Sequence, residues 1–469
     1  MNFSNKLKHP VFKVISELST NQDIPCYVIG GFVRDLIIGR PSKDIDIVVV
    51  GNGMELAQLV ANKLRVKKVS CFKNYGTAHF KYKDIDVEFV GARKESYSKE
   101  SRNPTVKQSS LKDDQKRRDF TINALALDLN KENYGNLIDP FDGIKDLENG
   151  VIRTPFLPLQ TYSDDPLRML RAIRFASQLN FSIEIESLKA IHENAYRIEI
   201  ISQERISEEL NKILLSNKPS KGLRLLKTTN LLKYFFPELI ALNGVETING
   251  KSHKDNFNHT LEVIDNISEN TDNLWLRWAA LLHDIAKPKT KKFDKKIGWT
   301  FHGHEEIGAK MVPFIFKRMR LPLDYKMKFV KKLVRLHLRP IALVKGSVTD
   351  SALRRLLNEA GDDIDDLMLL CNADITSKND FRVKQYKKNF KNVIQKLKDV
   401  EQRDKIRNFQ PPISGELIMK SFDIAPCKEV GIIKASLKEA ILDGKIQNTY
   451  QDAYDEMVKL GVKLGLHIK

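Results

Sequence analysis

The sequence predicts an α/β head followed by a mostly all-α remainder, and three observations carry that expectation. Short β-branched and aromatic runs (CYVIGG, IDIVVV, AHFKY and IDVEFV) fall within the first 157 residues, bounded by Gly and Asn turns. From Asp164 to about Leu370 the apolar residues recur at helical spacing instead, as in PLRMLRAIRFASQL and ISEELNKILLS. With 469 residues, the chain has room for roughly two to four domains, each with a core of its own.

Composition narrows the classes further. Hydrophobic residues make up 42% and charged residues 29%, and no apolar run reaches the roughly 18 residues of a membrane span. Cys26, Cys71, Cys371 and Cys427 lie far apart without a CxxC pair, which argues against a zinc ribbon and a disulfide framework. The opening MNFSNKLKHPVFKVISEL has no continuous apolar stretch of the signal-peptide kind, so the expected location is cytoplasmic, with reduced thiols. A net charge of +18 favours a polyanionic partner. The excess is densest in residues 376–469, with 19 basic against 12 acidic residues. There, Lys378 to Lys398 interleaves cations with Phe381, Tyr386 and Phe390. That pattern suits either a surface that tracks a phosphate backbone or a solvated helix face with its rings turned to the core. Asn408-Phe409-Gln410-Pro411-Pro412 marks a turn between the last helices.

The head carries the first chemical constellation. An apolar strand runs into Gly30-Gly31, then a helix opens at Phe32, an arrangement that lets backbone N–H groups approach a phosphate. Asp44 and Asp46 stand two apart on the next strand, on one face, where oxygen ligands can grip a divalent cation; a solvent-facing edge strand is the alternative. Alternation puts Asp84, Asp86 and Glu88 on one face of a further strand, which could add a third carboxylate for a two-metal site. Later, Arg168, Arg171 and Arg174 recur every three residues, one guanidinium face of a helix, with Asp165 three residues before the first. A carboxylate beside a guanidinium is either a planar template for a base edge or a common helix-end ion pair.

In order, GGFVRD, DID, VEFVGAR, RRDFTINA, DPFDGIKDL…IR, DDPLRMLRAIRFA and RISEEL resemble the class II CCA-adding tRNA nucleotidyltransferases and their bacterial poly(A) polymerase relatives, over the first half of the chain. The resemblance implies that Asp44 and Asp46 hold Mg²⁺, with Glu88 as the third acid. It implies further that Gly30, Gly31, Arg34, Arg118 and Asn123 contact the nucleotide, that Asp165 and Arg168 read the base, and that Arg171 and Arg174 bind phosphates. Residues 93–116, RKESYSKESRNPTVKQSSLKDDQK, read as a polar mobile loop, which in this family is associated with adding A after CC.

Six of the ten histidines fall between His253 and His337. His259, the adjacent pair His283-Asp284 inside an apolar helix, and Asp374 resemble the metal ligands of the HD phosphohydrolase superfamily. His304 and His337 match the additional histidines that some members use for substrate or a second metal. Burying His283 and Asp284 together costs several kcal/mol, of order 2–7 per group, unless a metal or hydrogen bonds compensate. A mixed N/O donor set suits a divalent transition metal better than Mg²⁺ alone.

Together these readings give a nucleotidyltransferase head at 1–157, a helical base-reading neck at 158–250, an HD domain at 251–375 and a basic helical tail at 376–469. The expected activity is template-independent addition of CCA to tRNA from CTP and ATP, with a phosphohydrolase side activity, no membrane and no obligate protein partner. A poly(A) polymerase is the alternative within the class. An HD phosphohydrolase with an RNA-binding N-terminal half is the alternative from another class.

Overall fold

The computed structural model describes residues 1–469 apart from 73–75, 99–100, 346–347, 377–379, 405 and 408, and it divides into two compact units, Met1–Ile240 and Ala241–Lys469. The first is built on a seven-stranded mixed sheet. Its strands are β1 (Cys26–Ile29), β2 (Asp44–Val49), β3 (Ser70–Phe72), β4 (Thr77–Tyr82) and β5 (Ile85–Gly91). A separate hairpin pairs β6 (Arg93–Ser98) with β7 (Ser101–Gln108), and β8 (Ala126–Asp128) and β9 (Leu137–Ile138) complete the sheet in the order β3-β4-β5-β2-β1-β8-β9.

β2 is therefore a central strand, and the edge-strand alternative for Asp44 and Asp46 falls away. Its alternation explains why: Ile45 and Ile47 are buried, while Asp44 and Asp46 project from the opposite face. Helices Pro10–Asn21 and Gly53–Lys63 supply Val11, Ile15, Leu56 and Val60 to the core, each fully buried and each contributing about 1.5–3 kcal/mol of transfer free energy.

Residues 93–116, expected as a loop, instead form the β6–β7 hairpin and the helix Leu111–Lys116, capped by Ser110, whose Oγ accepts from the Asp113 amide at 3.3 Å. The sequence there is polar, but it contains Tyr97, Thr105 and Val106, which suit extended backbone. Pairing of β6 with β7 satisfies the N–H and C=O groups that face across the two-stranded ladder. Lys99 and Glu100 lie outside the described residues.

The rest of this unit is mainly helical, with Leu167–Gln178 and Gln203–Leu214 at the two expected patterns and one short parallel pair of Val151–Ile152 with Ser182–Ile183. The second unit packs helices Asn256–Ser268, Leu274–Leu282, His304–Arg318, Tyr325–Leu336 and Ile364–Asp374 around a common core. The last three helices enclose a smaller cluster of Ile413, Ile418, Phe422, Ile433, Leu437, Ala453 and Met457. Of the basic stretch, Lys378 lies outside the described residues; in the helix Asp380–Asp404, Phe390 is buried and Phe381 is 77% exposed, so the rings divide between the two expectations. The chain breaks between Asp404 and Gly415, where the proline turn was placed, although Asn408 is outside the described residues. All four cysteines are unpaired, and among the described residues no helix is long and apolar enough to cross a membrane.

Candidate active site and metal centre

β2 and β5 run parallel in a register that sets Asp44 beside Asp86 and Asp46 beside Glu88. Neighbours in register share a face, so Asp44, Asp46 and Glu88 form one acidic corner. Asp86 is taken by His79, whose Nε2 lies 3.1 Å away. Burial pushes Asp46 above the usual carboxylate range, and Asp44 adds to the rise, against the pull of Arg118; burial and then Asp46 push Glu88 up as well. Oxygen donors that destabilise one another's charge fit a divalent cation.

Gly30 closes this corner. Its φ of +83° lies in the left-handed region, and a Cβ placed there would sit 3.1 Å from both Arg118 Nη1 and Asp46 Oδ2. Only glycine gives the turn into the helix Gly31–Ile37 without crowding both groups. Arg118 is oriented by Asp114, fully buried, which also accepts from Arg117.

Beyond the acids lies a guanidinium cluster. Arg34 donates to Asn123 Oδ1 at 2.7 Å, and Asn123 donates to Asp119 Oδ1 at 3.0 Å. Asp119 receives Arg171 at 2.7 Å, and Arg174 pairs with Glu209 at 3.1 Å. Burial opposes charge on Asp119, but Arg171 and Asn123 outweigh it and hold its carboxyl at about 2. Phe175 sits among the cations, with Arg174, Arg34 and Arg171 at 4.1, 4.8 and 5.6 Å from its ring centroid. Asp165 stands in extended backbone just before the arginine helix, its Oδ1 accepting from Leu167 N, and Arg168 occupies the first turn, nearly buried. The three arginines share a face as expected, and Asp119 and Glu209 hold Arg171 and Arg174 there.

In the second unit, the four expected metal ligands and the two additional histidines converge. Asp374 Oδ1 lies 2.8 Å from His259 Nε2 and 3.6 Å from His283 Nε2, while Asp284 Oδ2 lies 3.2 Å from His283 Nε2 and 3.5 Å from His259 Nε2. The other oxygen of Asp284 faces His304 Nε2 at 3.2 Å and His337 Nε2 at 3.9 Å. Asp284 thus joins two triads, His259-His283-Asp284 and Asp284-His304-His337.

The outer nitrogens decide what the inner ones can do. Nδ1 of His283, His304 and His337 each contacts a backbone carbonyl, of Ala280, Phe301 and Val334, at 2.7 Å. A carbonyl only accepts, so each Nδ1 carries the proton and, in the neutral ring, Nε2 is a lone pair. The Nε2 atoms of His304 and His337 face each other at 3.3 Å. Two facing lone pairs beside a carboxylate fit a bound cation. Burial opposes charge on His283, but Asp284 and then Asp374 outweigh it and lift His283 to about 10, so its ring carries positive charge where a cation would sit. Burial, followed by that charge, holds His337 down to about 4, in the neutral state.

Known protein families match three stretches of the chain. Family models match a "Poly A polymerase head domain" at residues 26–153, a "Probable RNA and SrmB- binding site of polymerase A" at 180–242 and an "HD domain" at 256–378. An A-adding tRNA nucleotidyltransferase of Deinococcus radiodurans is 31% identical over 357 residues, 73% of this chain and 78% of that protein. The chain belongs to the tRNA nucleotidyltransferase family.

Other members match over less of their length. A CCA-adding enzyme of Ligilactobacillus salivarius is 40% identical over 210 residues, 44% of this chain and 50% of its own. Among the first curated relatives of this family member, the chain spans only about a quarter to a half of their length. The solved Thermotoga maritima CCA-adding enzyme complexed with tRNA shares 23% identity over 98% of this chain and 99% of its own at a TM-score of 0.63, a likeness of fold. The nucleotidyltransferase head and the HD domain point to divalent metal use, and in the second unit the two histidine–aspartate triads supply donors for it.

Sequence reasoning missed Asp114, Asp119, Phe175 and Glu209 as parts of the first site. Asp119 and Glu209 stand in quoted motifs, but their arginines lie 52 and 35 residues away, beyond the reach of any periodicity. Phe175 follows Arg174 directly and sits four residues after Arg171, a spacing that could have flagged it. Thr376 and Lys254, at 2.9 and 3.1 Å from His259 Nδ1, were missed for the same reason of distance or for want of a motif.

Proposed function

We propose that this protein adds CCA to the 3′ end of tRNA, taking CTP and ATP without a nucleic-acid template. The acidic corner of Asp44, Asp46 and Glu88, closed by Gly30 and Arg118, is the observation that carries the reading. Asp44, Asp46 and Glu88 would hold Mg²⁺, which when bound neutralises charge on the attacking hydroxyl and the leaving pyrophosphate. The tRNA 3′-hydroxyl loses its proton to solvent as its oxygen bonds to the α-phosphorus, the bond from that phosphorus to the α,β-bridging oxygen breaks, and pyrophosphate departs with that oxygen. Gly30, Gly31, Arg34, Arg118 and Asn123 position the nucleotide, with Arg171 and Arg174 toward its phosphates.

Asp165 and Arg168 select the base. Cytosine and adenine each set an exocyclic amine beside a ring acceptor, so a carboxylate and a guanidinium recognise either; guanine and uracil reverse that pattern. One bidentate pair discriminates by about 1–3 kcal/mol. The four-part division at 157, 250 and 375 and a tRNA-binding role for the basic tail belong to the same proposal.

The facing Nε2 lone pairs of His304 and His337 support a second activity in the other unit. There His259, His283, Asp284 and Asp374, with His304 and His337, would hold a divalent transition metal for hydrolysis of a phosphoester such as a 2′,3′-cyclic phosphate.

The deciding experiment incubates the protein with Mg²⁺ and tRNA ending at the discriminator base, with a parallel set on tRNA ending in CC. Growth by two nucleotides with CTP and by three with CTP and ATP is expected. A single A added only to tRNA already ending in CC would make it an A-adding enzyme, a long A ladder without CTP a poly(A) polymerase. No extension would overturn the reading.

A further inference from the structure

A row of rings and cations leads away from the metal centre of the second unit. It starts at Lys287, whose Nζ lies 2.5 Å from Asp284 Oδ2 and 5.7 Å from the ring of Phe301. The Phe301 ring stands edge-on to His253 at 5.8 Å, and His253 stands edge-on to Trp299 at 5.2 Å. Lys291 Nζ lies 5.2 Å from the Trp299 centroid. On the near side, Lys254 follows His253 and reaches Nδ1 of the ligand His259 at 3.1 Å.

Trp299 lies in a small hairpin of Lys292–Asp294 with Gly298–Thr300, which Phe301 follows directly, and His253 directly follows a second one of Thr247–Ile248 with Lys251–Ser252. Phe301, His253 and Trp299 are only half-buried, so each keeps a surface toward solvent. The polar atoms of His253 and Trp299 are already satisfied within the hairpins: His253 Nδ1 meets the Lys254 carbonyl, its Nε2 accepts from the Glu246 amide, and the Trp299 indole donates to the Lys251 carbonyl. Lys291 stands over the Trp299 ring and Phe293 meets that ring at 5.3 Å and 70°, so what the rings have left to offer is the part of their surface that still faces solvent. A half-exposed aromatic surface beside cations and a phosphoester-hydrolysing centre is the chemistry that holds a nucleobase with its phosphate.

We propose that Trp299, with His253 and Phe301, is the base platform of the metal-dependent phosphohydrolase site, and that this site takes phosphoesters of a nucleoside in preference to base-free ones. The inference rests on the phosphohydrolase reading above. In the reaction, water oxygen bonds to phosphorus, one ribose P–O bond of the cyclic diester breaks, and the departing ribose oxygen takes a proton. The platform touches none of these atoms and acts on binding of the base.

The test compares 2′,3′-cyclic AMP with glycerol 1,2-cyclic phosphate, the same five-membered diester without a base, using the full chain with Mn²⁺. In Trp299→Ala the ratio of kcat/KM for the two substrates is expected to fall about tenfold, chiefly through KM for the nucleotide, and in Trp299→Phe to be largely kept. Because the ratio cancels a general loss of folded protein or of metal, an unaltered ratio overturns the platform. A second readout needs no turnover: 8-azidoadenosine 2′,3′-cyclic phosphate is photolysed with the wild-type chain and the adducts are mapped by mass spectrometry. Adducts on the peptide holding Trp299 support the platform; adducts confined to the first 240 residues overturn it. If the wild type hydrolyses neither diester, the phosphohydrolase reading falls, and the adduct map alone decides the platform.

Discussion

Asp119 is nearly sealed from water yet keeps its charge, because Arg171 and Asn123 both meet it. Its carboxyl is held at about 2, below the ordinary 3.8, so its contribution to stability is present above about pH 4 and is lost as the pH falls toward 2. The shift corresponds to about 2 kcal/mol. Asp119→Asn should therefore lower stability by about that much at pH 7 and flatten the acid limb between pH 4 and 2, as read by calorimetry across that range; an unchanged acid limb would remove the charge argument. Phe175 makes a different kind of contribution. Three guanidiniums crowd its ring, each attracted by its π-face by about 0.5–2 kcal/mol. Phe175→Leu keeps the apolar bulk and removes that face, so KM for ATP and CTP should rise several-fold with less change in kcat. Equal loss in both would mean that Leu disturbs the acidic corner itself.

At the scale of elements, the Gly30 turn and strand β2 do most to set the geometry. Gly30→Ala would force a Cβ within 3.1 Å of Arg118 and Asp46 at a φ that costs about 1–2 kcal/mol for an L-residue. Nucleotide incorporation should fall by tenfold or more while the second unit keeps its thermal transition; full activity would show that the turn tolerates a side chain. The same elements show what a sequence reveals. β1, β2, β4 and β5 are legible because each buries small, β-branched or aromatic residues at alternate positions, and the acids Asp44, Asp46 and Glu88 stand out against that pattern. The β6–β7 hairpin is not legible, because it is held by backbone pairing and shows no apolar alternation. Nor is the register that brings Asp46 to Glu88, since 42 residues separate them and only the parallel pairing of two buried strands sets it. The histidine site was legible as ligand types, whereas the carbonyls that fix their tautomers are backbone atoms of Ala280, Phe301 and Val334, which no side-chain motif can signal.

At the scale of the whole molecule, the chain joins two donor sets of opposite chemistry. The first unit offers carboxylate oxygens, suited to a hard cation that handles triphosphate; the second offers four imidazoles and two carboxylates, suited to a borderline transition metal. The two should therefore be separable by metal as well as by mutation. Asp44→Ala should abolish nucleotide incorporation and leave intact the tightly held metal measured by elemental analysis of the purified chain. His283→Ala should do the reverse, because it takes one nitrogen from the His259-His283-Asp284 triad and leaves buried Asp284 with a poorer partner. Brief chelation followed by Mg²⁺ alone should restore incorporation without restoring cyclic-phosphate hydrolysis, which Mn²⁺ or another transition metal should return. If His283→Ala lost incorporation along with its metal, the second centre would be sustaining the first, and the two donor sets would have to be treated as one coupled system.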